Sequence, residues 1–129
     1  MNQEEFEQVF ERQINKSRDV LVTKAREYAS DNDRLHNFKV SSAFQGNTPE
    51  QALWGFATKH FVSISDMVRS GDFYPTEVWD EKLGDALNYL ILLRAQVFET
   101  DYARTEQSAS DEIDYHAASS SMKAHLFGG

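Results

Sequence analysis

An all-α fold is predicted by the spacing of apolar residues, by paired helix-start and helix-stop signals, and by a short turn between two long periodic stretches. Apolar side chains recur at i, i+3, i+4 and i+7 from Phe6 to Phe98, the period of helices with one buried face. Thr48-Pro49-Glu50-Gln51 is a helix start, and Gly71 to Pro75 is a stop followed by a turn. The architecture expected is an antiparallel hairpin of two long helices packed with an N-terminal helix. It spans residues 1–100, with 101–129 as a C-terminal tail.

The first helix is predicted from Glu4 to Tyr28, on the stripe Phe6, Phe10, Ile14, Leu21, Ala25 and Tyr28. No glycine or proline interrupts it. It stops in Ser30-Asp31-Asn32-Asp33, whose short polar side chains compete for backbone hydrogen bonds and favour turns. Residues 34–46 read as a structured connector. Leu35, Phe38 and Phe44 seat a short helix there, closed by Gly46 as a left-handed cap.

The second long helix has Thr48 as N-cap, Pro49 in the first helical position and Gln51 to complete a capping box. Leu53, Phe56, Ala57, His60, Phe61, Ile64, Met67 and Val68 form its predicted apolar face. Thr76 caps the third, with Trp79, Leu83, Ala86, Leu87, Leu90, Ile91, Val97 and Phe98 as its stripe. A short connection between long helices makes them antiparallel neighbours. In the tail, Ser119 to Ser121 are poor helix formers, so a marginal helix or an oligomer-docking segment is expected.

At 129 residues the chain fits one domain. Its 21 acids against 13 bases leave a net charge of −8, which disfavours bulk nucleic-acid binding. The same acidity suits an enzyme that concentrates divalent cations, and it is also an ordinary solubility feature. There is no cysteine, hence no disulfide framework and no thiolate metal site. No apolar run reaches membrane-spanning length, and the acidic start is unlike a secretory signal, so a soluble cytoplasmic protein is expected. Broad apolar faces on two long helices predict a homo-oligomer, a dimer in the simplest case.

The candidate chemistry lies in WDEKLGDALNYL. Glu81 and Asp85, four residues apart, share one helical face. Their mutual repulsion is offset by a cation, and oxygen-only ligands suit Mg²⁺ or Mn²⁺. Asp80 and Glu81 are also first-turn acids favoured by the helix dipole. Asn88 follows on the same side, either orienting a ligand or serving as a satisfied core amide. On the second helix, Lys59, His60, Ser63 and Asp66 fall within two turns. Lys59 either contacts phosphate or extends to solvent. His60 is either a core residue or part of the site. In KAREYASDNDRLHNF, Glu27 is a further carboxylate, with Lys24, His36 and Asn37 nearby. Arg34 and Lys39 could hold phosphate, and Phe38 or Trp54 could stack on a base. P-loop, GxGxxG, HExxH and cysteine-nucleophile chemistries have no matching motif.

The string KAREYASDNDRLHNFK, followed by a capped helix and then EKLGDALNYLILL, resembles small phage and prophage proteins related to the MazG-like, all-α nucleoside triphosphate pyrophosphohydrolases. The resemblance covers roughly residues 20–98. It implies a MazG-like helical bundle, usually oligomeric, that holds Mg²⁺ between antiparallel helices and cleaves a nucleoside triphosphate to monophosphate and pyrophosphate. It also implies a bacterial host cytoplasm for a phage-encoded chain. Glu81 and Gly84-Asp85 match the family's second acidic pair, giving the catalytic candidates Glu81 and Asp85. Lys82 stands where a ligand glutamate is usual, and His60, Ser63 and Asp66 replace the first pair. The implied metal set is Glu81 and Asp85, completed by Glu27 or Asp66. Substrate contacts are expected from Lys24, Arg34, Asn37, Phe38, Trp54, Lys59, His60 and Asn88. Two other classes remain open: a nucleotide-sequestering protein without turnover that counters host defence signalling, and an acidic protein-binding inhibitor.

Overall fold

The computed structural model describes residues 1–25 and 33–127, with side chains through 117. The described residues are all-helical, with no strand among them. Helix α1 covers Gln3–Arg18 and runs into a π-helical turn at Asp19–Thr23. Helix α2 covers His36–Gln45, α3 Pro49–Ser70 and α4 Thr76–Phe127. No helix among the described residues is long and apolar enough to cross a membrane.

Local chemistry explains most of the boundaries. Asn2 accepts from the Glu5 amide while the Glu5 carboxylate accepts from the Asn2 amide, a reciprocal cap of α1. Thr48 and Gln51 make the same arrangement at the start of α3, behind Pro49. Gly46 and Gly71 close α2 and α3 at φ 71° and 67°, a left-handed conformation that a side chain would strain. At the start of α2, Asp33 accepts from the Leu35 amide and from Lys39 Nζ at 2.8 Å. Both bonds hold its carboxyl below the usual value, with the Lys39 bond the larger cause.

The chain divides into two compact units, Met1–Gln96 and Val97–Gly129. In the first, Leu53 is the one large side chain fully buried among the described residues, and Leu35, Ala52, Ala57, Met67 and Ala86 are the other buried apolar residues. The edge of this core is aromatic. Phe38 meets Phe56 and Tyr89 edge-on, and Tyr89 stacks on His60 with ring centroids 5.0 Å apart. His60 lies beside Asp85 and Tyr89, about equally far from the Gly71–Pro75 turn, which is the register of an antiparallel pair.

Three expectations are corrected. The first helix changes to π geometry after Arg18, where β-branched Val20, Val22 and Thr23 crowd the backbone. The tail is not broken at its serines, because residues 101–127 contain neither glycine nor proline and serine weakens a helix only slightly. The predicted stripes are only partly buried: Phe6, Phe10, Phe56, Val68, Leu83, Leu90, Ile91, Val97 and Phe98 are all exposed. Among the described residues of α4, those buried are Gly84, Ala86 and Gln96. In the second unit every described side chain through 117 is exposed except Thr100, which is half-buried.

Candidate functional site

Helix α1 and the first turns of α4 meet through polar groups. Arg12 holds Asp80 through both Nε, at 3.1 Å, and an Nη, at 2.7 Å, and Lys16 Nζ stands 3.7 Å from the same oxygen. Gln13 Nε2 reaches the Asp80 carbonyl at 3.4 Å. The approach is close enough that a Cβ added at Gly84 would lie 3.1 Å from Gln13 Nε2. Glycine at 84 therefore has a packing reason: α1 crosses α4 there.

Beside this crossing lies a cleft of about 370 Å³. Lys16, Ser17, Asp19, Val20 and Lys24 line one side, and Glu77, Asp80, Glu81, Gly84, Asp85 and Asn88 line the other. Five carboxylates thus face two ammonium groups. Asp80 is neutralised by Arg12 and Lys16, and Lys24 pairs with Asp19 at 3.6 Å. Glu77, Glu81 and Asp85 make no ion pair with a lysine or arginine among the described residues. The Asp80 side chain is 12% exposed and that of Asp85 is 42% exposed. Asp80 is thus the more enclosed of the two acids. Asp85 stands 3.8 Å from His60 Nδ1, an ion pair when that imidazole is protonated.

Two further cleft residues carry polar atoms with no partner among the described residues. Ser17 is 3% exposed, and its Oγ makes no hydrogen bond. Asn88 Oδ1 is enclosed and unpartnered. Buried polar groups are nearly always satisfied, because leaving one unpaired costs about 1–3 kcal/mol. Their position in a charged cleft gives the cost a use: a bound molecule can supply the partners.

Of the residues singled out in the sequence, the cleft brings together Lys24, Glu81, Asp85 and Asn88. His60 touches it only through Asp85. Phe38 is a core-edge residue between Phe56 and Tyr89, and the exposed Trp54 leans on Phe61, so neither ring lines the cleft. Arg34, Asn37, Lys59 and Asp66 are exposed elsewhere. Glu27 lies outside the described residues. No group of three or more histidine or acidic side chains poised for a metal occurs among the described residues. Sequence reasoning missed Arg12, Lys16 and Ser17. Ser17 falls on the predicted stripe itself, three residues after Ile14 and four before Leu21, so a serine on an apolar face was the signal that could have found it; Lys16 lies off that stripe and carries no such mark.

A scan of protein-family models and searches of curated proteins and of solved structures returned no match.

Proposed function

We propose that the protein binds a nucleoside polyphosphate with a divalent cation in the α1–α4 cleft and acts as a nucleotide pyrophosphohydrolase. The observation that carries this reading is the coincidence, in one cleft, of unneutralised Glu81 and Asp85, two lysines, and the unpartnered Ser17 Oγ and Asn88 Oδ1. The donor set is oxygen-only and fits a hard cation of the Mg²⁺ type, which is commonly held by one or two carboxylates plus phosphate oxygens and water. Glu81 and Asp85 would hold that cation, whose chemistry is charge neutralisation across the phosphates and activation of an attacking water. Lys16 and Lys24 offer charge-assisted hydrogen bonds to phosphate oxygens. Ser17 and Asn88 hydrogen-bond the uncharged part of the ligand, and Arg12 keeps Asp80 from adding to the repulsion among Glu77, Glu81 and Asp85. Self-association as a homodimer is part of the proposal, given the exposed apolar faces of α3 and α4.

A second reading, binding without turnover, is favoured by one observation: no third acidic ligand joins Glu81 and Asp85 among the described residues. The two readings separate in a pyrophosphate-release assay over the common nucleoside triphosphates with Mg²⁺ or Mn²⁺. Release that disappears in Glu81→Gln supports hydrolysis. Binding of an intact nucleotide without release supports sequestration. Neither binding nor release overturns the nucleotide reading.

A further inference from the structure

The lining of the α1–α4 cleft is sorted by depth. Its charged side chains are open: Lys16, Lys24 and Asp85 are each roughly half exposed. Its neutral polar groups are enclosed. Ser17 is almost wholly buried, and neither its Oγ nor Asn88 Oδ1 has a hydrogen-bond partner among the described residues. Ser17 comes four residues after Gln13 and Asn88 four after Gly84, so each stands one turn beyond the contact where α1 crosses α4. An amide oxygen only accepts hydrogen bonds, whereas a hydroxyl both donates and accepts. Ionised phosphate oxygens carry no proton to give, so they leave Asn88 unsatisfied. What the two atoms lack is a neutral partner with at least one donor.

We infer, resting on the nucleotide reading above, that Ser17 and Asn88 recognise the hydroxyls of the ligand's sugar. The site therefore prefers ribonucleotides to 2′-deoxyribonucleotides and is indifferent to the base. A ribose presents two neighbouring hydroxyls, each able to donate and to accept. One satisfies the Asn88 amide oxygen and the other the Ser17 hydroxyl. A 2′-deoxyribose has lost one of the pair, so binding it leaves an enclosed polar atom without a partner. Sites built around a substrate hydroxyl reject the analogue that lacks it for this reason.

The base is the other neutral part of a nucleotide, and the cleft is poorly made for one. Bases are held by stacking on aromatic faces. Among the described residues no ring lines the cleft, and Val20 is its one sizeable apolar side chain. Size agrees. A cleft of about 370 Å³ lies at the small end of ligand sites, which run from about 300 to 1,000 Å³, so it does not enclose sugar, phosphates and base together. The base projects out of the cleft. The ligand chemistry is thus a phosphorylated ribose, which a ribonucleotide and a base-free ribose phosphate share.

The test is isothermal titration of the full chain, in Mg²⁺, with ATP, UTP, dATP, dUTP and ribose 5-phosphate. ATP and UTP should bind alike, each ~10-fold or more tighter than its deoxy counterpart. Ribose 5-phosphate keeps the sugar but only one phosphate and should bind more weakly than ATP. Of Ser17→Ala and Asn88→Ala, the variant that removes the partner of the 2′-hydroxyl should weaken ATP and leave dATP nearly unchanged. Equal affinity of the wild-type protein for ATP and dATP overturns the sugar reading while the nucleotide reading stands. A preference that both variants preserve does the same, since it returns Asn88 to the cation or to the fold. A ~10-fold difference between ATP and UTP places the base in the cleft and overturns the indifference to it. Binding of ribose 5-phosphate but of no triphosphate overturns the nucleotide reading and keeps the sugar. Binding of none of the five overturns both.

Discussion

The first turns of α4 pack on two neighbours in opposite ways. Toward α3 and α2 the contacts are apolar and aromatic: Leu53 and Ala86 are buried, and Phe38, Phe56, His60 and Tyr89 meet ring to ring. Toward α1 they are polar: Arg12 on Asp80, Gln13 over Gly84, and a cleft that leaves Ser17 and Asn88 unsatisfied. Burial of apolar surface is non-directional and holds the helices together. The polar side holds them less tightly, but it leaves groups poised for a ligand. One helix thus separates the fold's stability from its proposed chemistry, as a site that stores unsatisfied groups requires.

Leu53→Ala should break the apolar side. Loss of the one large, fully buried side chain leaves a cavity and should lower unfolding free energy by about 3 kcal/mol, measured by urea denaturation. If the change is instead below about 1 kcal/mol, this side does not carry the fold.

Ser17→Ala sharpens the contrast because its two effects have opposite signs. Removing an unpartnered hydroxyl and inserting a better helix former should raise stability by about 1 kcal/mol. The same change should weaken ligand binding. A loss of stability would mean that the hydroxyl is satisfied in the folded protein.

Arg12→Ala is expected to have a smaller effect, since the guanidinium is half exposed and Lys16 remains beside Asp80. Exposed pairs contribute about 0–1 kcal/mol, and the loss should shrink further in high salt.

The smallest effect concerns acid. The Asp33 carboxyl is held below its ordinary 3.8 by Lys39 and the Leu35 amide, so the charged form favours the folded state. That contribution is fully present above the unfolded value and is lost as pH falls through the lower folded one. Protection of the α2 amides, corrected for the intrinsic pH dependence of exchange, should therefore fall below about pH 4, and Asp33→Asn should remove that step.

What was legible in the sequence was local. Thr48, Pro49 and Gln51 announce α3 within four residues, and Gly46 and Gly71 mark ends by a backbone conformation that favours glycine. Glu81 and Asp85 were legible as a pair because helical spacing alone puts them on one face. The rest depends on distant partners. Arg12 and Asp80 are 68 residues apart, and no periodicity links them. Ser17 falls on the apolar stripe of α1, which marks it as inward-facing, but that its hydroxyl would be enclosed without a partner depends on where α1 crosses α4. The apolar stripes gave the helices correctly but not which stretch would be covered, because that depends on where the neighbouring helices cross.

The central claim is that the α1–α4 cleft takes a nucleotide together with a divalent cation. Isothermal titration of the purified chain with nucleoside triphosphates, with and without Mg²⁺, tests it most directly when Asp85→Asn is run alongside. Binding that requires Mg²⁺ and falls by ~10-fold or more in Asp85→Asn, at unchanged or higher thermal stability, is the result expected. Equal affinity in the two proteins, or a variant that is merely less stable, would contradict it and return Asp85 to a structural role beside His60.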